Sequence, residues 1–481
     1  MRYFITTTIP YVNADPHIGF LWELLIADYV ARFQKSKGNE VRFIAGTDEN
    51  GLKIAQAAES IGKPTKDFVD EYVQKFFDLN TQFEISIDDF IRTTEKRHKK
   101  GVYKLWNLCK KNGDIYEDTY EGLYCVGCED FYRTEDLIDG KCPDHKKEPE
   151  LIKEKNYFFR LKKYLPEIAR LVKEDKIRIL PDIKKQEVLR MIASGDIGDL
   201  SISRSKERSR GWGIPVEGDE NQMVYVWFDA LTNYISALDF GEENSKKFET
   251  YWNNAQVWQF LGKNVLKFHA LYWPAMLLSA GQKTPDVLHV HEFVTNEGEK
   301  MSKSLGNVVA PKDLLGKYDV NITRYYFAKQ NPFADFNFSF HAFEQTAEGE
   351  LKKEIGNFVS RVFGILKKAP DSISLEKIVL QEEIEKAEAA AIASSERGEF
   401  HVALQEIYQL VKRANKFIDE KQLWKGGEET EYAALLKIIS LIAFWGQVFS
   451  PQKAKRIHDA LNLKPGVKTF ENKRIAFDPL F

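Results

Sequence analysis

The run Glu299-Lys300-Met301-Ser302-Lys303-Ser304-Leu305-Gly306-Asn307 gathers two lysines, two serines and a glycine in a stretch too polar for a core. A lysine is a compact charge on a flexible stem, able to travel with a phosphate as it leaves. Small hydroxyls and glycine let the backbone approach phosphate oxygens. The run therefore suits a loop that reaches over a polyphosphate, although a solvated charged loop has the same look. A second phosphate-type feature lies near the start. His17-Ile18-Gly19-Phe20 opens a helical pattern that runs to about Gln34, after a strand and a turn. A helix N-terminus in that setting turns unpaired amides and its dipole toward an anion, and Gly19 would let a flat adenine lie on the backbone. Taken alone, a histidine at a helix start is as readily a cap or a packed side chain. The third feature is metal-like. Cys125-x-x-Cys128 is followed, after thirteen intervening residues, by Cys142-x-x-His145. Ligands paired two residues apart, twice, have the spacing of a closed tetrahedral structural Zn²⁺ site. The short, polar, turn-rich stretch 116–150 has little core without such a staple. Cys109 stands alone in a helical pattern and reads as a small packed side chain.

These groups need a scaffold, and the hydropathy pattern supplies one. Strands are expected at 2–9, 41–46 and 88–93 with helices between them, a turn with Pro and Asn punctuation over 10–16, and further strands at 223–228, 257–262 and 287–294. Alternating strands and helices imply a parallel sheet with its ligand at the strand C-termini. From about His341 the pattern is helical only, with 3.6-residue apolar periodicity over 351–366, 382–392, 400–417 and 432–449. The fold expected is α/β: a Rossmann-like parallel-sheet domain split by a zinc-containing connective insertion and followed by an all-α bundle. The corresponding segments are 1–113, 114–220, 221–340 (with the lysine run) and 341–481. The length supports a large core, and 43% hydrophobic with 29% charged residues is ordinary globular composition. The net charge of −3 gives no global basic field, so any nucleic-acid contact must use local patches such as 96–111, with seven Lys/Arg and one His, or 204–210. No signal peptide is visible after Met1-Arg2. The apolar stretch 432–449, interrupted by Lys437, reads as a buried helix rather than a membrane span. The protein is therefore expected to be cytoplasmic, without membrane contact.

Several ordered segments sharpen this reading. The lysine run and His17-Ile18-Gly19 resemble the two signature motifs of class I aminoacyl-tRNA synthetases. Ile9-Pro10-Tyr11-Val12-Asn13, Gly46-Thr47-Asp48-Glu49-Asn50-Gly51, Gly198 to Arg204, Trp212-Gly213-Ile214-Pro215, Tyr225 to Ala230 and Gly262-Lys263-Asn264 resemble the methionyl-tRNA synthetases. The resemblance extends from Tyr3 to Phe481. Leucyl, isoleucyl and valyl enzymes share the phosphate motifs but carry a large editing insertion for which 481 residues leave no room. The form resembled has a single zinc knuckle and lacks the C-terminal dimerisation domain, which predicts a monomer.

The resemblance implies a methionine–tRNA ligase. The methionine carboxylate attacks the α-phosphorus of ATP, pyrophosphate leaves, and the adenylate acylates tRNA(Met). Catalysis without a protein nucleophile rests on positioning and charge stabilisation. His17, Lys300 and Lys303 would be the catalytic residues, with Gly19, Phe20, Asn264 and Ser302 completing the ATP contacts and Mg²⁺ accompanying the nucleotide. Asp48 would hold the substrate ammonium, with Ile9 and Tyr11 nearby. Trp227, Tyr234, Phe268 and His269 would wall the thioether, which offers polarisability rather than hydrogen bonds. Cys125, Cys128, Cys142 and His145 would hold one Zn²⁺. Asn357, Arg361 and Trp424 would read the anticodon by hydrogen bonds and stacking. Three positions depart from the usual motif: Phe20 replaces His, Asn50 stands where relatives commonly carry His, and Asn264 where many carry Asp. They leave two other readings open, a non-catalytic tRNA-binding paralogue and a class I synthetase for another amino acid.

Overall fold

Near-continuous apolar runs such as Tyr3-Phe4-Ile5 and Val257-Trp258 can be buried on both faces only in a parallel sheet covered by helices. The computed structural model describes residues 1–125, 130–132, 134–143, 146–296, 299–300, 308–315, 318–461, 468–472, 477 and 480, with the backbone alone at 120, 121, 130, 131, 135, 299 and 300. It forms two compact units: Met1–Pro16, Glu40–Thr81 and Ile87–His291 in one, His17–Asn39, Gln82–Ser86 and Glu292–Phe481 in the other.

The first unit is built on a six-stranded sheet, parallel throughout. Its strand order is Asp89–Arg92 (β3), Glu40–Thr47 (β2), Arg2–Thr7 (β1), Gln256–Gly262, Val287–His291 and Arg178–Leu180. The order reverses between β1 and Gln256–Gly262, which creates a switch point at their carboxyl ends. Gly46 allows β2 to pack closely on β3 and on the residues after β1: a Cβ on it would lie 2.2 Å from the Ile91 carbonyl oxygen and 3.1 Å from the Ile9 side chain. The segment between β3 and Gln256–Gly262 builds a four-stranded sheet, centred on the long antiparallel pair Ile115–Cys125 with Glu150–Phe159, and a three-stranded one. It also lends Arg178–Leu180 to the edge of the main sheet. Three residues are too few to show a period, so this strand was not legible in the sequence. The expected strand 223–228 is not observed as such. Asp219–Val224 is a strand of the small antiparallel sheet, and Val226–Leu231 is a helix. A short apolar run is ambiguous between strand and buried helix, and here Asp229 and Ala230 continue it with a helical hydrogen bond from Asp229 N to the Tyr225 carbonyl.

The second unit is almost wholly helical. Ile18–Ser36 (α1) is apolar nearly all round and correspondingly buried. Phe33 stacks on Trp445 at 5.6 Å, and Tyr29 packs edge-on against Phe400 and Phe449. The expected bundle helices appear as a π-helical stretch Thr346–Gly356 running into Asn357–Leu366, then Gln381–Ser395, Phe400–Lys421 and Glu429–Phe449. Glu429–Phe449 is long and apolar enough to cross a membrane, but 72% of its apolar window is buried inside the protein, which makes it a core helix. The helix Pro451–Leu461 and the two-stranded ribbon Ser372–Ser374 with Thr469–Glu471 were not anticipated.

One wholly buried ion pair joins distant segments of this unit. Arg324 Nη2 donates to Asp28 Oδ2 at 2.5 Å. Its other donors reach the carbonyls of Phe83, Val448 and Phe449 at 2.9, 3.0 and 3.2 Å. Asp28 also accepts from Arg32 and Ser86. Burial alone would raise the Asp28 carboxyl. The two guanidiniums and the Ser86 donors outweigh it and hold the group below the usual carboxylate range.

Candidate active site

In the first unit the expected amino-acid site lies at the carboxyl ends of the strands flanking the switch point. Ile9 and Tyr11 follow β1, Asp48 follows β2, and Asn264 follows Gln256–Gly262. Tyr11 and Asp48 form a parallel bridge, Asp48 N donates to the Pro10 carbonyl at 2.9 Å, and Val12 N donates to the Asp48 carbonyl at 3.3 Å. Asp48 is 3% exposed, and its Oδ1 receives the Asn50 amide N–H at 3.3 Å. Glu49, next to it, serves anchoring. Its wholly buried carboxylate takes two bonds from Arg92 at 2.6 and 2.9 Å and one each from Thr47 and Thr94. The Trp212 indole N–H donates to its carbonyl at 2.6 Å. The alternation of a strand end thus separates the Asp48 carboxylate from that of Glu49, which is fixed to the frame.

The four expected wall residues come together in pairs. Trp227 and Phe268 are stacked, with centroids 3.7 Å apart and 7° between planes. Phe268 and His269 begin a π-helical turn, Phe268–Tyr272, a geometry frequent at functional sites. His269 Nδ1 lies 2.9 Å from the Val265 carbonyl and Nε2 2.7 Å from the Tyr234 hydroxyl. A carbonyl only accepts, so Nδ1 carries the proton and Nε2 takes the Tyr234 proton. Burial is the main cause that pushes the imidazole down to about 4, which keeps it neutral.

The phosphate-type groups of the helix start and the lysine run belong to the second unit, and Asn264 to the first. His17 caps α1: its Nδ1 accepts from Gly19 N at 3.1 Å and Phe20 N at 3.3 Å. The first-turn amides expected to face a phosphate are thus already satisfied, which corrects that part of the sequence reading. Because Nδ1 is an acceptor, the neutral ring carries its proton on Nε2, and the ring itself becomes the donor. Ile18 N donates to the Val309 carbonyl at 3.1 Å, so the chain leaving the lysine run is bonded to the residue after His17. Lys300 lies in the short strand Glu299–Lys300, which pairs with Val294–Asn296. Ser302 and Lys303 lie outside the described residues. Phe20 is half-buried, and Asn264 is exposed.

Of the expected zinc ligands, Cys125 and Cys142 are buried thiols, neither in a disulfide. Cys142 N donates to the Lys147 carbonyl and Lys146 N to the Cys142 carbonyl, a tight turn with Lys146 at φ 51°. Soft, buried thiols in a polar segment fit Zn²⁺. Cys128 and His145 lie outside the described residues, and among the described residues no group of three or more potential ligands occurs. Cys109 packs wholly buried, and burial pushes its thiol up to about 12.

At the bundle, Asn357 and Arg361 share a face of Asn357–Leu366. Arg361 reaches Asn415 at 3.1 Å and Asp419 at 2.7 Å. Gln422 turns left-handed at φ 52° to end Phe400–Lys421, and Trp424 follows in a 3₁₀ turn, 43% exposed beside wholly buried Leu423. The patch expected at 204–210 is partly internal. Arg204 is buried with its guanidinium 4.2 Å over the Tyr225 ring. His98, inside the basic run 96–111, is wholly buried too. It falls on the stripe His98, Val102, Leu105, Cys109, whose spacing of four, three and four was the signal for an inward position.

The sequence matches the family described as "tRNA synthetases class I (M)" over residues 3–150 and 133–363. A methionine–tRNA ligase of Fusobacterium nucleatum is 37% identical over 96% of this chain and 74% of that protein. The chloroplastic/mitochondrial methionine–tRNA ligase of Arabidopsis thaliana is 36% identical over 95% and 77%. Among solved structures, a Mycobacterium tuberculosis methionyl-tRNA synthetase in complex with methionyl-adenylate superposes with a TM-score of 0.87 at 32% identity, covering 97% of this chain and 95% of that one.

Proposed function

The chain belongs to the class I tRNA synthetases of the methionine type, and from that premise we propose that it activates L-methionine with ATP and transfers it to tRNA(Met). The single observation that carries the proposal is likeness to methionine–tRNA ligases along nearly the entire chain. In this reading Asp48 receives the substrate ammonium, with Ile9 and Tyr11 beside it. The stacked Trp227–Phe268 pair and the neutral Tyr234–His269 pair wall the thioether. An uncharged imidazole matters here, because an imidazolium would bring a solvation shell into an apolar pocket.

His17 Nε2–H, Lys300 and Lys303 stabilise charge on the triphosphate as pyrophosphate leaves. Gly19, Phe20, Asn264 and Ser302 complete the nucleotide contacts, and Mg²⁺ travels with ATP. Cys125, Cys128, Cys142 and His145 would hold one Zn²⁺, which when bound is a structural staple of the insertion. Asn357, Arg361 and Trp424 read the anticodon. The working segments are 1–113 and 221–340 for catalysis, 114–220 for the insertion and 341–481 for the anticodon. We take the chain to act as a cytoplasmic monomer. Methionine-dependent ATP–pyrophosphate exchange tests the reading. Exchange with methionine and not with leucine, isoleucine or valine is the expected result. Tight tRNA binding without exchange would instead favour a non-catalytic paralogue.

A further inference from the structure

Behind Asp48 runs a buried chain of polar groups that none of the roles above uses. Asn50, 4% exposed, gives its backbone N–H to Asp48 and its side-chain Nδ2–H to Asp229 Oδ2 at 2.7 Å and to the Thr93 carbonyl at 3.3 Å. Asp229 is wholly buried, and its second oxygen, Oδ1, faces His98 Nε2 at 2.6 Å. His98, also wholly buried, has Nδ1 at 2.8 Å from Ser236 Oγ, which in turn donates to the Asn233 carbonyl at 3.2 Å. Close helix packing brings the last two together: a Cβ on Gly101 would fall 2.7 Å from the Ser236 Cβ.

A carboxylate in a dry interior is costly unless both oxygens are hydrogen-bonded. Here both are, one by Asn50 and one by His98. The Asn50 side chain is therefore fixed by a charge-assisted bond, and fixing it fixes the residue whose N–H holds Asp48. Glu49 pins the same strand end through its four bonds to Arg92, Thr47 and Thr94, so the Asp48 carboxylate is held between two anchors. We propose that Asp229 is a positioning residue for amino-acid binding. Acting through Asn50, and itself oriented by His98 and Ser236, it sets the Asp48 carboxylate to receive the substrate ammonium. The inference rests on the role given to Asp48 above.

The test is an exchange of the two side chains. ATP–pyrophosphate exchange is measured over methionine and ATP concentrations, with thermal melting, for wild type, Asn50→Asp, Asp229→Asn and the double variant. Asn50→Asp sets two carboxylates against each other, and Asp229→Asn sets amide against amide. Each should raise KM for methionine roughly 10–100-fold, the worth of a hydrogen bond to a charged group, with KM for ATP and kcat little changed. In the double variant Asn at 229 donates to Asp at 50 and still accepts from His98, while the bond to the Thr93 carbonyl is lost, so KM for methionine should fall well below that of either single variant without reaching wild type.

A double variant no better than the single ones, or single variants that shift KM for ATP and kcat as much as KM for methionine, would overturn the proposal. If the single variants do not fold, the double variant decides alone: folded with methionine KM raised less than about 10-fold upholds it, and unfolded or raised further overturns it. A wild type that shows no methionine-dependent exchange overturns the functional reading and this inference with it. A working wild type with failed rescue overturns the inference alone.

Discussion

Acid should weaken the first unit through His269, and the size of the effect follows from its surroundings. Burial is the dominant cause that lowers this imidazole from 6.5 to about 4, against a smaller raising contribution from the Val265 carbonyl. Between those two values the unfolded chain binds a proton that the native protein refuses. Stability is therefore intact above about pH 6.5, falls as pH drops, and levels off near pH 4. At about 1.4 kcal/mol per pH unit the loss is about 3 kcal/mol over the window and about 2 kcal/mol by pH 5. The clean perturbation is His269→Gln, whose amide can donate to the Val265 carbonyl and accept from the Tyr234 hydroxyl but cannot titrate. Urea unfolding followed by tryptophan fluorescence at pH 7 and pH 5 should show wild type losing about 2 kcal/mol more than the variant. An NMR titration should leave the His269 ring protons unmoved from pH 8 to about 5.5. Equal acid loss in both proteins, or a ring that titrates near 6.5, would refute the assignment of a dry, neutral imidazole.

The anticodon reading predicts that Trp424→Ala weakens charging of tRNA(Met) by roughly 1–3 kcal/mol, the worth of one base-stacking platform, while leaving pyrophosphate exchange intact. Equal loss of both activities would make the residue structural. Metal analysis of purified protein should find close to one Zn²⁺ per chain, reduced by Cys125→Ser, and a metal-free protein with normal folding and activity would contradict the knuckle. Phe20→His should speed single-turnover formation of the adenylate, because removing one preorganised donor typically costs about 10²–10³ in rate. A slower or unchanged rate would mean the site is rebuilt around phenylalanine.

The parallel sheet and the bundle helices were legible because their apolar periods are long and unbroken. The residues proposed to wall the methionine were singled out only through the resemblance, since Trp227 and Phe268 in isolation are core aromatics like any others. What the sequence hid was short or long-range. Arg178–Leu180 has three residues and no local signature. Val226–Leu231 looks like a strand until its continuation is packed. The His17 cap was one of the readings open at a helix start, and the direction of one nitrogen, which no residue pattern encodes, decides for it. The partnership of Asn50 with Asp229 spans 179 positions and involves residue types that are ordinarily solvated.

The buried Arg324 has a bearing on how such a protein can be taken apart. The helix Glu429–Phe449 ends with carbonyls that have no partner within the helix, and a residue more than a hundred positions earlier supplies the donors. That same guanidinium neutralises Asp28 on α1 and ties down the Phe83 carbonyl. A bundle excised at 341 would lose its terminal donors, and the remainder would keep the Arg324–Asp28 pair without two of the carbonyls that complete the guanidinium's bonds. Exchanges of the bundle between relatives should therefore carry residues 17–39, 82–86 and 292–340 with it. The boundary that a geneticist would choose from function cuts through the piece that folding treats as whole.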